Sequence, residues 1–506
     1  MKLVRMIPMP VFAALIVGGV SLNLLVFTYG YSSSLSNPDE GAHYINALFL
    51  GDWLRGGAPW LPACARDFRE HFPTLSIGRW PPGWYLVEAP IFALFRPSPT
   101  MAAAISAFFA GLPGGVIFWA FARLDRRWFG LGLACTYALL PIPAEATRYI
   151  LLDQPVALAV GVAAIAWARA SEDPRPGRLL GFAAAAAFSG LVQGNGALIL
   201  LVPAIDILLT RRWSLLRLPT FWLAMALAIL PVAGWYALVA SSRTLGIDPL
   251  SAFESLWSNL GPIGIALALW GGWRSFRVPG SGEARIAGLA VAVTIATLVF
   301  PADGLRPAAP MLPWLVILAG VGLLPFLRRE AAPALVGVAL AAAALVPAMR
   351  FAATLPPKGD NRAGDVGDVI AALGGIWMID GPPAEEGASV AAAAYRDHRR
   401  RIVWVVLGSE WLGARTATDS PERVHALIER LGVKGTAAFA PGTRAAYPHD
   451  GLLNQGVALA RFEMAPIRYE RAPGVLTRTV RWTPVTPHPE LIAAGPAALA
   501  PVQPPH

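Results

Sequence analysis

PGWYLVEAPIFALF, residues Pro82–Phe95, decides how the rest of the chain is threaded. It is apolar like a membrane span, yet it has about two-thirds of the length a span needs and carries Glu88. Counting it as a span inverts every later loop. The positive charges then decide. Lys2 and Arg5, Arg123, Arg126 and Arg127, Arg169, Arg175 and Arg178, Arg211, Arg212 and Arg217, Arg274, Arg277 and Arg285, and Arg328 with Arg329 all fall on one side if Pro82–Phe95 stays out of the count. The opposite loops hold isolated arginines, Arg148, Arg243 and Arg306. Cytoplasmic loops collect Lys and Arg, so the clustered side is expected to be cytoplasmic. Pro82–Phe95 is then an interfacial helix on the outer leaflet, with Trp80, Trp84 and Tyr85 at headgroup level.

The composition agrees with a bilayer setting. Of 506 residues 55% are hydrophobic and 14% charged, against about 25% charged in soluble chains. The net charge of +9 lies in short Arg clusters between apolar runs, which argues for loop anchors and against a nucleic-acid-binding surface. Span-length runs fall near 8–30, 100–122, 129–147, 152–169, 178–193, 195–210, 219–240, 253–273, 284–301, 307–327 and 331–350. They predict a polytopic α-helical membrane protein of about 11 transmembrane helices, the first a retained signal anchor. An odd number of spans puts the N-terminus inside and the C-terminal segment outside. Cys64 and Cys135 are expected to be free thiols.

Two boundaries follow. Residues 1–354 form the membrane domain, with an external loop at 32–99 that holds helices at Pro38–Leu54 and Gly83–Phe95. After about Leu355 the charge rises and apolar runs shorten to strand length, at Ile376–Ile379, Ile402–Leu407, Thr436–Phe439, Val457–Phe462 and Val475–Trp482. Helical patterns at Ala388–Arg400 and Pro421–Leu431 alternate with the first of these, so residues 355–483 are expected to be an extracytoplasmic α/β domain. Residues 484–506, rich in Pro and Ala, read as a disordered tail.

Candidate chemistry gathers at the outer membrane edge. In NPDEGAHY, Asn37–Tyr44, a helix places Asp39 and His43 on one face and turns Glu40 away from them. A carboxylate here is suited to take a proton from an acceptor hydroxyl. The plainer reading is a helix start, with Asn37 as cap, Pro38 in the first turn and Glu40 as capping-box acid; spacing alone leaves both open. Further candidates are Arg79 beside Trp80, then Arg148, Tyr149 and Asp153 in RYILLDQP, Gln193 and Asn195 in VQGNG, and Arg306 near Asp303 in PADGLRP. Ionisable groups beside a membrane are costly to keep, so each is a functional candidate. Each also has a structural alternative: an Arg148–Asp153 ion pair, a turn at Asp303, a packed His43. No second His or Cys follows His43 at ligand spacing, so no metal ligand is assigned. His398–Arg401, HRRR, reads as a solvated helix end.

The order of these pieces resembles a known family. A DE-bearing helix, then GDW (Gly51–Trp53), then PPGWY (Pro81–Tyr85), is similar to the GT-C superfamily of membrane glycosyltransferases, especially the bacterial relatives of protein O-mannosyltransferases and of the lipid A aminoarabinose transferase. FARLDRRWFG (Phe121–Gly130) looks like the family's basic loop, RYILLDQP carries an acid like its second one, and LRPAAPMLPW (Leu305–Trp314) resembles its late Arg-and-proline span. The likeness covers roughly residues 8–350. It implies a polyprenyl-phosphate-linked sugar as donor and inverting transfer at the external face. Asp39 and Glu40 would be the catalytic acids of the first loop, with Asp39 as base, and Asp153 the second acid. Arg79, Arg148 and Arg306 would hold the donor phosphate. His43, Tyr44, Trp84, Tyr85, Tyr149, Gln193 and Asn195 would contact substrate.

The sequence departs from the family twice. The Glu-Lys pair often found before the two prolines is Arg79-Trp80 here, and the Lys-Gly-Pro common after the fifth span is Gln193-Gly194-Asn195. A divalent metal is compatible with this chemistry but is not required, since arginines neutralise a monophosphate. A lipid-linked-sugar transporter would instead carry midplane charges and inverted repeats, and a non-catalytic assembly subunit would not need Asp39.

Overall fold

A computed structural model describes residues 8–26, 35–238, 249–277, 281–299, 309–327, 332–354, 363–411, 420–438, 463–464, 477–480 and 486–495. Helix α1 (Met9–Leu24) is followed by α2 (Pro38–Arg55), α3 (Leu61–His71) and α4 (Gly83–Phe95). Then come α5 (Pro99–Gly111), α6 (Gly114–Ala122), α7 (Arg127–Ala138), α8 (Pro141–Ala146), α9 (Asp153–Glu172), α10 (Pro176–Val192), α11 (Val202–Thr210), α12 (Pro219–Leu238), α13 (Pro249–Arg277), α14 (Gly282–Val299), α15 (Leu312–Leu323) and α16 (Ala332–Thr354). The C-terminal part runs α17 (Ala363–Leu373), β1 (Gly375–Asp380), α18 (Pro383–Asp397), β2 (Val403–Leu407), α19 (Gly408–Trp411), α20 (Pro421–Leu431), β3 (Gly435–Ala438), β4 (Glu463–Met464), β5 (Thr477–Val480) and α21 (Pro489–Ala494).

The chain divides into two compact units, and the division does not follow the boundary read from sequence. One unit comprises residues 1–31, 78–84 and 102–357; the other gathers 32–77 and 85–101 together with 358–506. The external loop thus folds largely with the C-terminal segment.

The first unit is helical, and every apolar run of the sequence contains helix. Four helical stretches, Pro99–Ala122, Asp153–Glu172, Pro219–Ala237 and Pro333–Arg350, are long and apolar enough to cross a membrane. The chain also breaks between and within helices: the Gln193–Gly196 turn opens the 3₁₀ segment Gly194–Leu201, and α13 kinks at Gly261, whose φ of 61° suits glycine, just before Pro262. Outward faces stay apolar, with Leu230 66%, Ile263 74%, Leu269 71% and Leu335 69% exposed. Such continuous apolar surface is stable against lipid tails, not water. Inside, small residues let backbones touch: a Cβ on Gly132 would lie 2.3 Å from Gly337, and one on Gly271 would lie 2.0 Å from the Leu318 carbonyl oxygen. Asp206 of α11, absent from the sequence reading, is buried and accepts a hydrogen bond from the Trp167 indole of α9 at 3.0 Å.

In the second unit the sheet order is β2-β1-β3-β5-β4. β1 pairs in parallel with β2 and β3, while β5 runs antiparallel to β3 and β4. Ile376, Met378 and Val406 pack with Val424, Ile428 and Leu431 of α20, an amphipathic helix capped by Ser420. Four of the five strands read from sequence have described residues that bear on them, and β1, β2, β3 and β5 fall on these; Val457–Phe462 lies outside the described residues. Within the stretch read as a disordered tail, α21 forms because Leu491 and Ile492 pack on this same core.

Candidate active site

The N-terminal turn of α2 resolves the two readings of NPDE into different residues. The Asn37 side chain accepts from the Asp39 backbone N–H at 3.0 Å. Glu40 Oε2 accepts from the backbone N–H groups of Ser36 at 2.9 Å and Asn37 at 3.0 Å, and Glu40 is fully buried. Asn37 and Glu40 thus form the capping box. Glu40, read as a catalytic acid, is a capping group. The Asp39 side chain is not one of the box's two capping groups and is half-buried in the first turn of the helix.

Behind this turn α2 is buried from Glu40 through Gly51, apart from the half-buried Ala42, so it is not the surface helix expected. His43 Nδ1 and the Tyr85 hydroxyl are hydrogen-bonded at 2.7 Å, and the Tyr44 hydroxyl donates to the Pro97 carbonyl at 3.0 Å. All three residues are buried. Asn46 and Ser76 bond each other twice, at 3.1 and 2.9 Å. In α4, Leu86, Leu94 and Phe95 are exposed while Glu88 and Phe92 are buried.

The HRRR stretch is solvated only in part, since Arg399 and Arg400 are exposed but His398 is not. His398 is 1% exposed and hydrogen-bonds Asp52 of the GDW motif through Nδ1; Arg401 pairs with Asp67, and Arg400 reaches the Ala371 carbonyl at 3.0 Å. His71 of α3 donates from Nδ1 to the Val403 carbonyl at 2.7 Å and stacks on Trp404 at 4.6 Å. Burial holds its pKa below the ordinary value, against the opposing pull of that carbonyl and of Asp397. Asp397 Oδ2 accepts both the Ile402 and Val403 N–H groups at 2.9 Å, which fixes the turn into β2.

A buried acid that sequence reading missed stands at the C-terminal ends of the parallel strands. Glu386, 3% exposed, accepts from the Ser409 N–H at 3.2 Å and from its hydroxyl. Burial first, then Asp380, push its pKa up to about 8, although the Ser409 bonds oppose the shift. The folded unit therefore keeps a proton that the unfolded chain releases above its ordinary pKa of 4.5. Stability then falls as pH rises from 4.5 to about 8 and is level beyond. Glu386→Gln is expected to flatten this slope and raise the melting temperature most at pH 8, checked by thermal unfolding across that range.

In the first unit, Gly83 sits where a Cβ would be 2.5 Å from the Leu191 carbonyl oxygen. That close approach sets the PPGW turn beside the end of α10 and hence beside the Gln193–Asn195 turn. The Gly196 N–H closes this turn on the Gln193 carbonyl at 2.9 Å, and the Ser189 hydroxyl donates to the Gly196 carbonyl at 3.0 Å. Gln193 Oε1 and Asn195 Oδ1 are buried oxygens without a hydrogen-bond partner among the described residues. Arg79 is exposed, its guanidinium 5.9 Å from the Trp80 ring centre, and Trp84 is buried edge-on against Phe109 at 4.7 Å. Arg148 and Asp153 are 4% and 6% exposed, on either side of the loop that opens α9, and the half-buried Tyr149 lies 5.7 Å from the Arg148 guanidinium. Arg306 and Asp303 lie outside the described residues.

The sequence matches no protein-family model and no curated protein. The fold does match solved structures. ArnT from Cupriavidus metallidurans aligns in its apo state with a TM-score of 0.59 at 17% identity, over 93% of this chain and 97% of that one. The same protein bound to undecaprenyl phosphate aligns with a TM-score of 0.57 over 93% and 96%. The archaeal oligosaccharyltransferase AglB from Archaeoglobus fulgidus, in complex with an inhibitory peptide and a dolichol-phosphate, aligns with a TM-score of 0.53 at 10% identity, over 85% and 69%. These likenesses show the fold: the chain shares the polytopic helical fold of ArnT, with a small C-terminal α/β sheet.

Proposed function

We propose that this chain is a glycosyltransferase that moves a single sugar from a polyprenyl-phosphate donor to an extracytoplasmic lipid, glycan or protein acceptor. The observation that carries this reading is the near-complete alignment of this chain with ArnT bound to undecaprenyl phosphate. The acceptor hydroxyl forms a new bond to the anomeric carbon as that carbon's bond to phosphate oxygen breaks. The hydroxyl proton passes to Asp39, the electron pair stays with the departing polyprenyl phosphate, and attack from the far face inverts the centre. Arg79 stabilises the phosphate charge, with Arg148 and Arg306 as further candidates and Asp153 as the second acid. The unpartnered oxygens of Gln193 and Asn195 suit the hydroxyls of a sugar, and Tyr149 is a further candidate substrate contact. The protein would lie in a bacterial inner membrane, with the N-terminus cytoplasmic and the C-terminal segment outside.

The test is transfer of labelled sugar from polyprenyl-phosphate sugars into membrane fractions by the purified protein in lipid. Labelled acceptor supports the reading; donor bound but never consumed would sink it. Arg79→Ala is expected to weaken donor binding by roughly 10- to 100-fold, the value of one charge-assisted contact, with a reduced dependence on salt. Donor titration at two ionic strengths checks both effects.

A further inference from the structure

We propose that α18 is the positioning element for Asp39: Gly387 at its start sets how deep the α2 N-terminal turn sits, and His398 at its end sets the register of α2 through Asp52. The inference rests on Asp39 being the base and adds what holds it.

The two helices run side by side in the same direction. Gly41 of α2 meets Gly387 of α18, and eleven residues further along each helix Asp52 meets His398. At 1.5 Å per residue both intervals are about 16 Å, so the contacts brace α2 at both ends without a mismatch. The first contact is steric and one-sided. A Cβ on Gly41 would lie 2.5 Å from the Gly387 carbonyl oxygen and 2.8 Å from its Cα, both backbone atoms that cannot rotate away. A Cβ on Gly387 would meet Gly41 Cα and the Pro38 carbonyl at 3.7 Å, an ordinary contact. The second contact is polar and buried, since the His398 side chain is inaccessible and Asp52 largely so.

These contacts act on Asp39 through the backbone. Asp39 precedes Gly41 by two residues, about 200° around the helix, so it lies on the face turned away from α18. Pushing the first turn outward or letting α2 slide moves the Asp39 carboxylate while leaving its capping box closed. A general base displaced by about 1 Å loses on the order of 100-fold in rate. Phosphate binding, assigned to other residues, has no reason to change.

The experiment measures kcat, donor KM and melting temperature for the full-length protein in lipid, in Gly41→Ala, Gly387→Ala, His398→Ala and His398→Asn. Asn keeps a nitrogen donor at the Nδ1 position. The proposal expects kcat to fall on the order of 10- to 100-fold in Gly41→Ala and His398→Ala with donor KM unchanged. Gly387→Ala should keep the parental rate, and His398→Asn should recover most of the loss. Parental kcat in His398→Ala overturns the proposal, as does a loss confined to donor KM or a Gly387→Ala as slow as Gly41→Ala. The His398 pair, which leaves the helix crossing untouched, decides the outcome if Gly41→Ala does not accumulate. Transfer at the parental rate in Asp39→Asn would sink the base assignment itself, whereas an inactive Asp39→Asn beside a fully active His398→Ala would sink only the bracing.

Discussion

Asp39→Asn is expected to lower kcat by about 10²- to 10⁴-fold, the usual contribution of a positioned general base, with donor binding intact. The substitution is unusually clean at this position. The Asp39 backbone N–H is held by Asn37, and the cap is closed by Glu40, so neither hydrogen bond involves the side chain that changes. Losing a negative charge in the first helical turn costs about 0.3–1 kcal/mol, too little to unfold a helix buried along most of its length. Glu40→Gln provides the contrast: it disturbs the cap and is expected to lower the melting temperature more than it lowers kcat. Equal rates in Asp39→Asn and the parent protein would leave NPDE as a helix start and nothing more.

The second large effect is on assembly. Gly271→Leu is expected to destroy the packing of α13 on α15 and to prevent recovery of folded, monodisperse protein from membranes. A Cβ there would sit 2.0 Å from the Leu318 carbonyl oxygen, and across the same crossing a Cβ on Gly322 would sit 2.4 Å from the Leu267 carbonyl oxygen. Neither obstacle is a side chain that can change rotamer, so the cost exceeds the roughly 1–3 kcal/mol of ordinary overpacking. Lipid offers no hydrophobic drive to hold the helices together once the close approach is lost. Gly181→Leu is the control, since its Cβ direction is open and the residue exposed. Size-exclusion profiles after mild detergent extraction separate the two outcomes.

What the sequence made legible was what local pattern encodes. Apolar runs marked the long helices described in the first unit, because hydropathy over about 20 residues is a property of neighbours along the chain. Alternating strand and helix signals placed β1, β2, β3 and α20, and Asn37-Pro38 gave the start of α2 to the residue. The partnership of the external loop was invisible. Nothing near Asp52 announces His398, which lies 346 positions away, and nothing near His71 announces Val403. For the same reason HRRR looked like a solvated end, since arginines near a helix terminus usually are. Glu386 was passed over because the helix was read to begin at Ala388, which left Glu385 and Glu386 in the connection before it; only the packing shows that Glu386 is buried. The candidate site divides in the same way. Asp39 and Arg79 stood out by type and place, whereas the capping role of Glu40 became definite only with its two backbone hydrogen bonds.

The pairing of α2 with α18 also sets an order of events during synthesis. Asp52 leaves the ribosome 346 residues before His398. At about 5–20 residues per second, α2 must wait roughly 20–70 s for the helix that shelters it. During that interval the face of α2 that carries Gly41 and Asp52 has no partner from the C-terminal segment. A chain that stops short of α18 would therefore leave α2 without the Gly387 and His398 contacts that brace it.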